Sequence, residues 1–298
     1  MPKQRSSSVP AAEHELSNMS LQLCGEQQRP VSARMKSCWL RSEDGERISG
    51  ADLEVPFDGL ELFHEVFPGG EDMEMETLAQ LQAWPWQPSQ SGRWKQDFGP
   101  KANFKKQQVK VPETWNGFPS WSHQLLSNLL GRSATLRGFQ AVECLSLWYD
   151  ADRGANHALH VDDLWLWGDR ILGVSMQSAS VFTFYEPVNQ VVVRVPLPRR
   201  SAYLISGRVR VDWQHGLLAE DISGPRVAIT FRELTEAVAS SELGQVALER
   251  AKLVAPASQG HSCRTVVGAT MFSGRRHRSL RAGQKTARRS WRQKGASR

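Results

Sequence analysis

A mainly β fold with flanking helices (α+β), of the sandwich or jelly-roll kind, is predicted by three observations. Short β-rich runs separated by turn residues recur from Phe139 to Phe231, and runs of that length and spacing read as a sandwich or jelly roll. Apolar residues at helical spacing are confined to short stretches before and after those runs. At 298 residues the chain is long enough for one large domain or two small ones.

Taken in order, residues 1–50 are rich in Ser, Gln, Arg and Glu without sustained periodicity, which predicts disorder. Leu60 to Phe67 alternates as a first strand, with His64 on its surface, and Pro68-Gly69-Gly70 breaks it. Glu71 to Trp84 carries Met73, Leu78 and Leu81 at helical spacing. Its acids sit in the first turn, where the helix dipole favours them. Pro88 to Lys110 mixes Arg93, Lys95, Lys101, Lys105, Lys106 and Lys110 with Trp94, Phe98 and Phe104. Basic residues among aromatics can grip phosphates and stack bases. They can equally be a loop with aromatics on the core and solvated lysines.

Trp121 to Leu130 predicts a short amphipathic helix ended at Gly131. Phe139 to Tyr149 alternates as a strand. Ile171–Gln177, Val181–Tyr185, Gln190–Val195, Ser201–Ser206, Val211–Leu217 and Arg226–Phe231 follow as strands. Past Thr235, Ser240 to Val254 predicts a helix with Leu243, Val246, Ala247 and Leu253 on one side. The expected division is 1–50 disordered, 51–236 a folded domain, and 237–298 a C-terminal helix and basic tail.

Charge follows the same division. Ala251 to Arg298 holds 12 of the 37 Lys and Arg and no acid, leaving 25 basic against 31 acidic residues elsewhere. The net charge of +6 is therefore a property of the tail, not of the fold. Clusters such as Gly274-Arg275-Arg276-His277-Arg278 could be nuclear import signals or weak nucleic-acid contacts, or simply a solvated terminus. No apolar run reaches the ~18–20 residues of a membrane helix, so no membrane partner is expected, and the first residues lack a secretory core. Cys24, Cys38, Cys144 and Cys263 show no C-x-x-C spacing and fit a reducing compartment.

The chemistry concentrates in His160-Val161-Asp162-Asp163. Residues i and i+2 of a strand share a face, so His160 and Asp162 could aim inward together. An imidazole and a carboxylate there are two ligands of a 2-His-1-carboxylate iron site, and His215 is the candidate third. His157 competes, but its three-residue spacing suits a helix or turn better than a strand. Asp163 should face away, towards Arg170 or the 88–110 stretch. Arg226 and Arg232, six apart, lie on one face of a strand with apolar residues around them. Two guanidiniums there need an anion, and a dicarboxylate suits the planar fork of arginine.

In order and spacing, His160, Asp162, His215, Arg226 and Arg232 resemble the AlkB family of iron(II)- and 2-oxoglutarate-dependent dioxygenases. The similarity also runs through Ser89 to Lys101, His160 to Arg170, Val195 to Ser201 and Arg226 to Leu234, within roughly residues 52–236. The resemblance implies a double-stranded β-helix with iron(II) and 2-oxoglutarate in its mouth. It implies Tyr149 as a further oxoglutarate contact. The asparagine usual shortly before it is absent, the positions being Ser146 and Leu147. The stretch 88–110 becomes a substrate lid, with Arg93, Lys95, Phe98, Lys101 and Phe104 as its contact residues. Relatives often carry clustered N-terminal cysteines; here only Cys24 and Cys38 stand in that region.

The implied reaction is oxidative N-demethylation releasing formaldehyde, succinate and carbon dioxide. The implied substrate is methylated lysine in protein, with actin and the actomyosin system as target, in cytoplasm and nucleus. N6-methyladenine or another alkylated base is a second reading, with nucleic acid held by the lid or tail. A non-catalytic scaffold binding through the tail is a third.

Overall fold

The computed structural model describes residues 36–39, 47–48 and 57–256. In chain order the elements are β1 (Lys36–Trp39), β2 (Arg47–Ile48), β3 (Leu60–Phe63), α1 (Gly70–Gln82), β4 (Gln87–Pro88), β5 (Trp94–Phe98), β6 (Lys101–Asn103), β7 (Gln108–Lys110), α2 (Ser120–Leu130), β8 (Glu143–Tyr149), β9 (His157–His160), β10 (Trp167–Met176), β11 (Ser180–Glu186), β12 (Val191–Leu197), β13 (Ser201–Ile205), α3 (Gly207–Val211), β14 (Gln214–Leu217), β15 (Arg226–Leu234), α4 (Glu236–Ala239) and α5 (Glu242–Ala251).

Two sheets form a jelly roll. The smaller runs β1-β12-β11-β14-β9, and the larger runs β2-β3-β13-β10-β15-β8-β5-β4. Only β1 joins its neighbour in parallel; the other strand pairs of the two sheets are antiparallel. The core lies between the sheets. Phe182, Phe184, Val193 and Val195 of the smaller meet Leu62, Leu147, Ile171, Ile205 and Ala228 of the larger. Phe57 seals one end, its ring edge-on to Trp213 at 4.8 Å. Burying each large apolar side chain contributes about 1.5–3 kcal/mol relative to leaving it in water.

Several expectations shift. The stretch 1–50 supplies two short strands, β1 and β2; the rest of it, and the basic tail beyond residue 256, lie outside the described residues. Cys24 and the tail clusters are among them. The first strand ends at Phe63, and His64 is exposed as expected. Val211 closes the short helix α3 rather than opening a strand, so the predicted strand begins at Gln214.

The predicted helix Ser240–Val254 is shorter in the structure, α5 running from Glu242 to Ala251 after the separate turn α4, and Ser241 caps α5 by accepting from the Gly244 N–H. Its inward side is Gly244, Ala247 and Ala251. Leu243, Val246 and Leu253 stay exposed. Small residues let the helix approach closely, which the apolar count along its axis could not reveal. Nor does it stand apart from the domain: Arg250 donates to the carbonyls of Pro112 and Trp115, and Phe118 pairs with Val254.

The predicted lid also changes character. Its first half is β5, hydrogen-bonded along β8 from Trp94 opposite Trp148 to Phe98 opposite Cys144. A strand inside the larger sheet stands where a loop was expected. Only β6 and β7 form a separate hairpin.

Candidate metal centre

β9 and β14 lie side by side at the edge of the smaller sheet, with His160 directly opposite His215. Cross-strand neighbours stand a few ångströms apart, and here the two imidazole centroids are 4.6 Å apart. The second histidine, 55 positions on in the chain, is thus brought to the first by strand pairing. Asp162 completes the group: one ligand atom from each of His160, Asp162 and His215 falls within 4.8 Å of the others.

Asp162 does not share a strand face with His160, as the spacing predicts, because β9 ends at His160. The carboxylate comes from the turn beyond. That turn is held by a residue the sequence reading missed. Arg210, fully buried in α3, donates to the backbone carbonyls of Asp162 (2.9 Å), Trp167 (3.1 Å) and Gly168 (3.2 Å). An arginine with backbone carbonyls as partners leaves no charge pattern to find in sequence.

The donor set suits a divalent transition metal. Burial, reinforced by the neighbouring His215, pushes the His160 pKa down to about 4, so its ring is neutral and its lone pair free. Its Nδ1 faces the Ala158 carbonyl at 2.9 Å; an Nδ1–H donated there leaves Nε2 for a metal. Burial alone would raise Asp162. The Arg232 guanidinium and the His215 hydrogen bond outweigh it and hold the carboxyl well below its usual range. The Asp162 carboxylate lies 2.8 Å from Arg232 Nη2 and 3.3 Å from His215 Nε2.

The two arginines divide their work. On β15, residues 226, 228, 230 and 232 share one face, and Ala228, Thr230 and Arg232 line the inner pocket. Register sets the partners: Arg226 opposes Tyr149 and Arg232 opposes Glu143 across β8. Arg232 is committed to two carboxylates, Asp162 and Glu143. Expected beside Arg226 at the oxoglutarate, Arg232 is placed here against Asp162 of the candidate metal centre, with its Nε left unpartnered. Glu143 is the second residue the reading missed; its signal was a charge in an otherwise apolar alternation.

Arg226 is fully buried and has no carboxylate partner among the described residues. Nε donates to Ser180 Oγ at 2.9 Å and Nη2 to Ser175 Oγ at 3.3 Å, while Nη1 has no hydrogen-bond partner. A buried guanidinium with an idle N–H could receive an anion, and a carboxylate is the natural fit. Tyr149 stands between Arg226 and the pocket. Its ring centroid is 4.9 Å from the Arg226 guanidinium carbon, and its side chain lines the pocket. The donor set therefore fits a metal ion, and behind Tyr149 the buried Arg226 keeps an N–H that a carboxylate could take.

An outer cleft, lined among others by Gln90, Arg93, Lys95, Asp97, Phe104 and Glu143, adjoins this pocket. Of the five predicted lid contacts, Arg93, Lys95 and Phe104 line it. Phe98 turns instead to Trp84, ring to ring at 5.1 Å, and Lys101 lines a separate groove. Lys95 and Lys101 both pair with Asp97, and Trp94 stacks on Trp148 at 6.1 Å. Asp163 is exposed, but Arg170 grips Glu233 through two bonds of 2.8 and 2.6 Å rather than Asp163. His157 is a strand residue after all, three positions from His160 on β9 and outside the ligand cluster.

No protein-family model matches the chain. Over 183 residues it is 35% identical to a DNA N6-methyl adenine demethylase of Caenorhabditis elegans; the match covers 61% of this chain and 62% of that protein, less than two thirds of its length. It is 33% identical over 261 residues to the alpha-ketoglutarate-dependent dioxygenase alkB homolog 4 of Mus musculus, covering 74% of this chain and 86% of the relative. A crystal structure of an oxidoreductase of the 2OG-Fe(II) oxygenase family from Burkholderia pseudomallei matches 66% of this chain and 94% of its own, at 13% identity and a TM-score of 0.44.

Proposed function

The chain belongs to the AlkB family of alpha-ketoglutarate-dependent dioxygenases, and we propose that its reaction is oxidative removal of an N-methyl group from lysine in a protein substrate. Iron(II) and 2-oxoglutarate, with dioxygen, supply the oxidation of the methyl C–H bond, yielding formaldehyde, succinate and carbon dioxide. His160, Asp162 and His215 would hold the metal. Arg226, with Tyr149, Ser175 and Ser180 around it, would hold the far carboxylate of oxoglutarate. Arg232 keeps Asp162 ionised and aimed; Arg210 holds its turn.

The observation that carries the lysine reading is the outer cleft. Its basic residues offer little free charge at the surface: Lys95 pairs with Asp97, and Arg93, 5% exposed, donates through Nε to the Gln90 carbonyl while its unpartnered Nη1 is buried. Phosphate binding needs free cations on the surface. What remains is a passage lined by Leu145, Leu147 and Phe104 towards His157 and Arg232, which suits the apolar stem of a lysine side chain. Methylated actin is the first protein we would offer. Nucleus and cytoplasm are the compartments we propose, and imaging of the full chain checks them.

A second reading, demethylation of N6-methyladenine, is favoured by one feature. The β6–β7 hairpin leaves Lys105, Lys106 and Lys110 exposed beside Phe104. The deciding experiment measures formaldehyde with iron and oxoglutarate, offering methyl-lysine peptides and methylated DNA and RNA side by side. Release from nucleic acid alone, weakening steeply with salt, would replace the lysine reading with this one.

A further inference from the structure

β9 contains an irregularity that its neighbour does not. Opposite it, His215 and Leu217 are two apart on β14, yet their partners His160 and His157 are three apart on β9. One extra residue on one strand is a β-bulge, a device that re-aims a side chain. In a regular strand, residues three apart face opposite ways. Here the bulge turns both histidines to the same side, and their rings stack with centroids 4.3 Å apart. Gly216 makes room for it: a Cβ at Gly216 would lie 2.4 Å from the His157 carbonyl oxygen.

The position so reached is particular. The inner pocket and the outer cleft share three lining residues, Leu147, His157 and Arg232. They are the doorway between substrate entry and metal. Leu147 has no polar atom in its side chain. Arg232 is committed to Asp162 and Glu143. His157 is half-buried, and its ring makes no hydrogen bond among the described residues. At the point where a methylated nitrogen must pass to reach the metal, His157 is the doorway side chain that can accept from an N–H; the unpartnered Nε of Arg232 can only donate.

We infer that His157 is the substrate-positioning residue of this site, whose ring hydrogen-bonds the N–H of a mono- or dimethylated nitrogen and aims its methyl group at the metal. This rests on the N-demethylase reading above. It makes His157 a selector of methylation state, because a trimethylated nitrogen has no N–H to offer. It also assigns the bulge and Gly216 a reason beyond packing.

The test compares the wild-type chain with His157→Leu, which keeps bulk but no nitrogen, and His157→Asn, which restores a hydrogen-bonding group. Each is loaded with iron(II) and oxoglutarate and given mono-, di- and trimethyl-lysine peptides and N6-methyladenine oligonucleotides, whose methylated nitrogen also carries an N–H. Formaldehyde and succinate are measured together, and metal affinity by calorimetry. The expected result is unchanged metal affinity and unchanged substrate-free succinate in both variants. In His157→Leu the ratio of formaldehyde to succinate should fall about tenfold, the worth of one hydrogen bond. It should fall for mono- and dimethyl substrates and not for trimethyl ones, and His157→Asn should recover part of it. Wild-type coupling in His157→Leu overturns the inference alone. Loss of metal affinity in both variants also overturns it, by making His157 a support for His160. No formaldehyde from the wild-type chain with any substrate overturns the demethylase reading and this inference with it.

Discussion

Replacing Arg226 by Met separates affinity from stability in a way few substitutions at this site can. The guanidinium is fully buried, its Nη1 is idle, and no carboxylate among the described residues balances it. Holding an unpaired cation out of water costs several kcal/mol, and burial already pushes the Arg226 pKa down. Met fills similar apolar volume and removes that cost, against the loss of hydrogen bonds to Ser175 and Ser180. The ligand-free variant should therefore melt no lower than wild type. Oxoglutarate binding should collapse. Two charge-assisted bonds to one carboxylate contribute about 3–5 kcal/mol, so affinity should drop roughly a hundred- to a few-thousand-fold.

The assay is thermal melting with metal present, titrated with oxoglutarate. Ligand at a hundred times its dissociation constant stabilises wild type by about 2.7 kcal/mol, or roughly 5–10 °C for a domain of this size. Arg226→Met should show almost none of that shift, and Arg226→Lys, with charge but no fork, an intermediate one. A Met variant protected by oxoglutarate as strongly as wild type would refute the assignment of this arginine.

Three further outcomes follow from the same geometry. Gly216→Ala places a Cβ against the His157 backbone; with no flexible end to yield, it should cost about 1–3 kcal/mol in melting and weaken metal binding by calorimetry, whereas Gly224→Ala, whose Cβ would meet only Ser178 at an ordinary 3.8 Å, should do neither. Arg210→Met strands the three carbonyls it serves; each orphaned acceptor costs about 1–3 kcal/mol, so the fold should lose several kcal/mol in denaturant and metal affinity should fall with it. The metal-free chain should lose stability as pH drops from 6.5 towards 4. His160 titrates at about 4 when folded and near 6.5 when unfolded, so the unfolded state takes up the proton first, and 2.5 pH units correspond to roughly 3 kcal/mol; wild type minus His160→Gln, followed by denaturant melts across that range, should show this loss, and parallel curves would contradict it.

Much of the site could be read along the chain because its residue types are rare in apolar strands. A histidine two before an aspartate says little alone, but arginines six apart on an apolar strand after it make the pair stand out without any structure. Hydrophobic periodicity also marked where most strands and the helices α1 and α2 lie. Both signals are local, and a linear sequence reports local chemistry well.

What pairing and register decide is different in kind. That His215 stands against His160, and that Arg232 falls opposite Glu143 while Arg226 falls opposite Tyr149, follow from how strands align across the sheets. A shift of one residue would reverse every face. The bulge that turns His157 inward, the burial of α5 through its small residues rather than its large ones, and the capture of the Asp162 turn by Arg210 also belong to this level. Each depends on distances between segments remote in sequence, and no residue's own character encodes them. Composition and spacing pointed to candidate ligands for a metal and an anion. The folded sheets decided how the two arginines differ: register pairs Arg232 with Asp162 and Glu143 and leaves Arg226 without a carboxylate among the described residues.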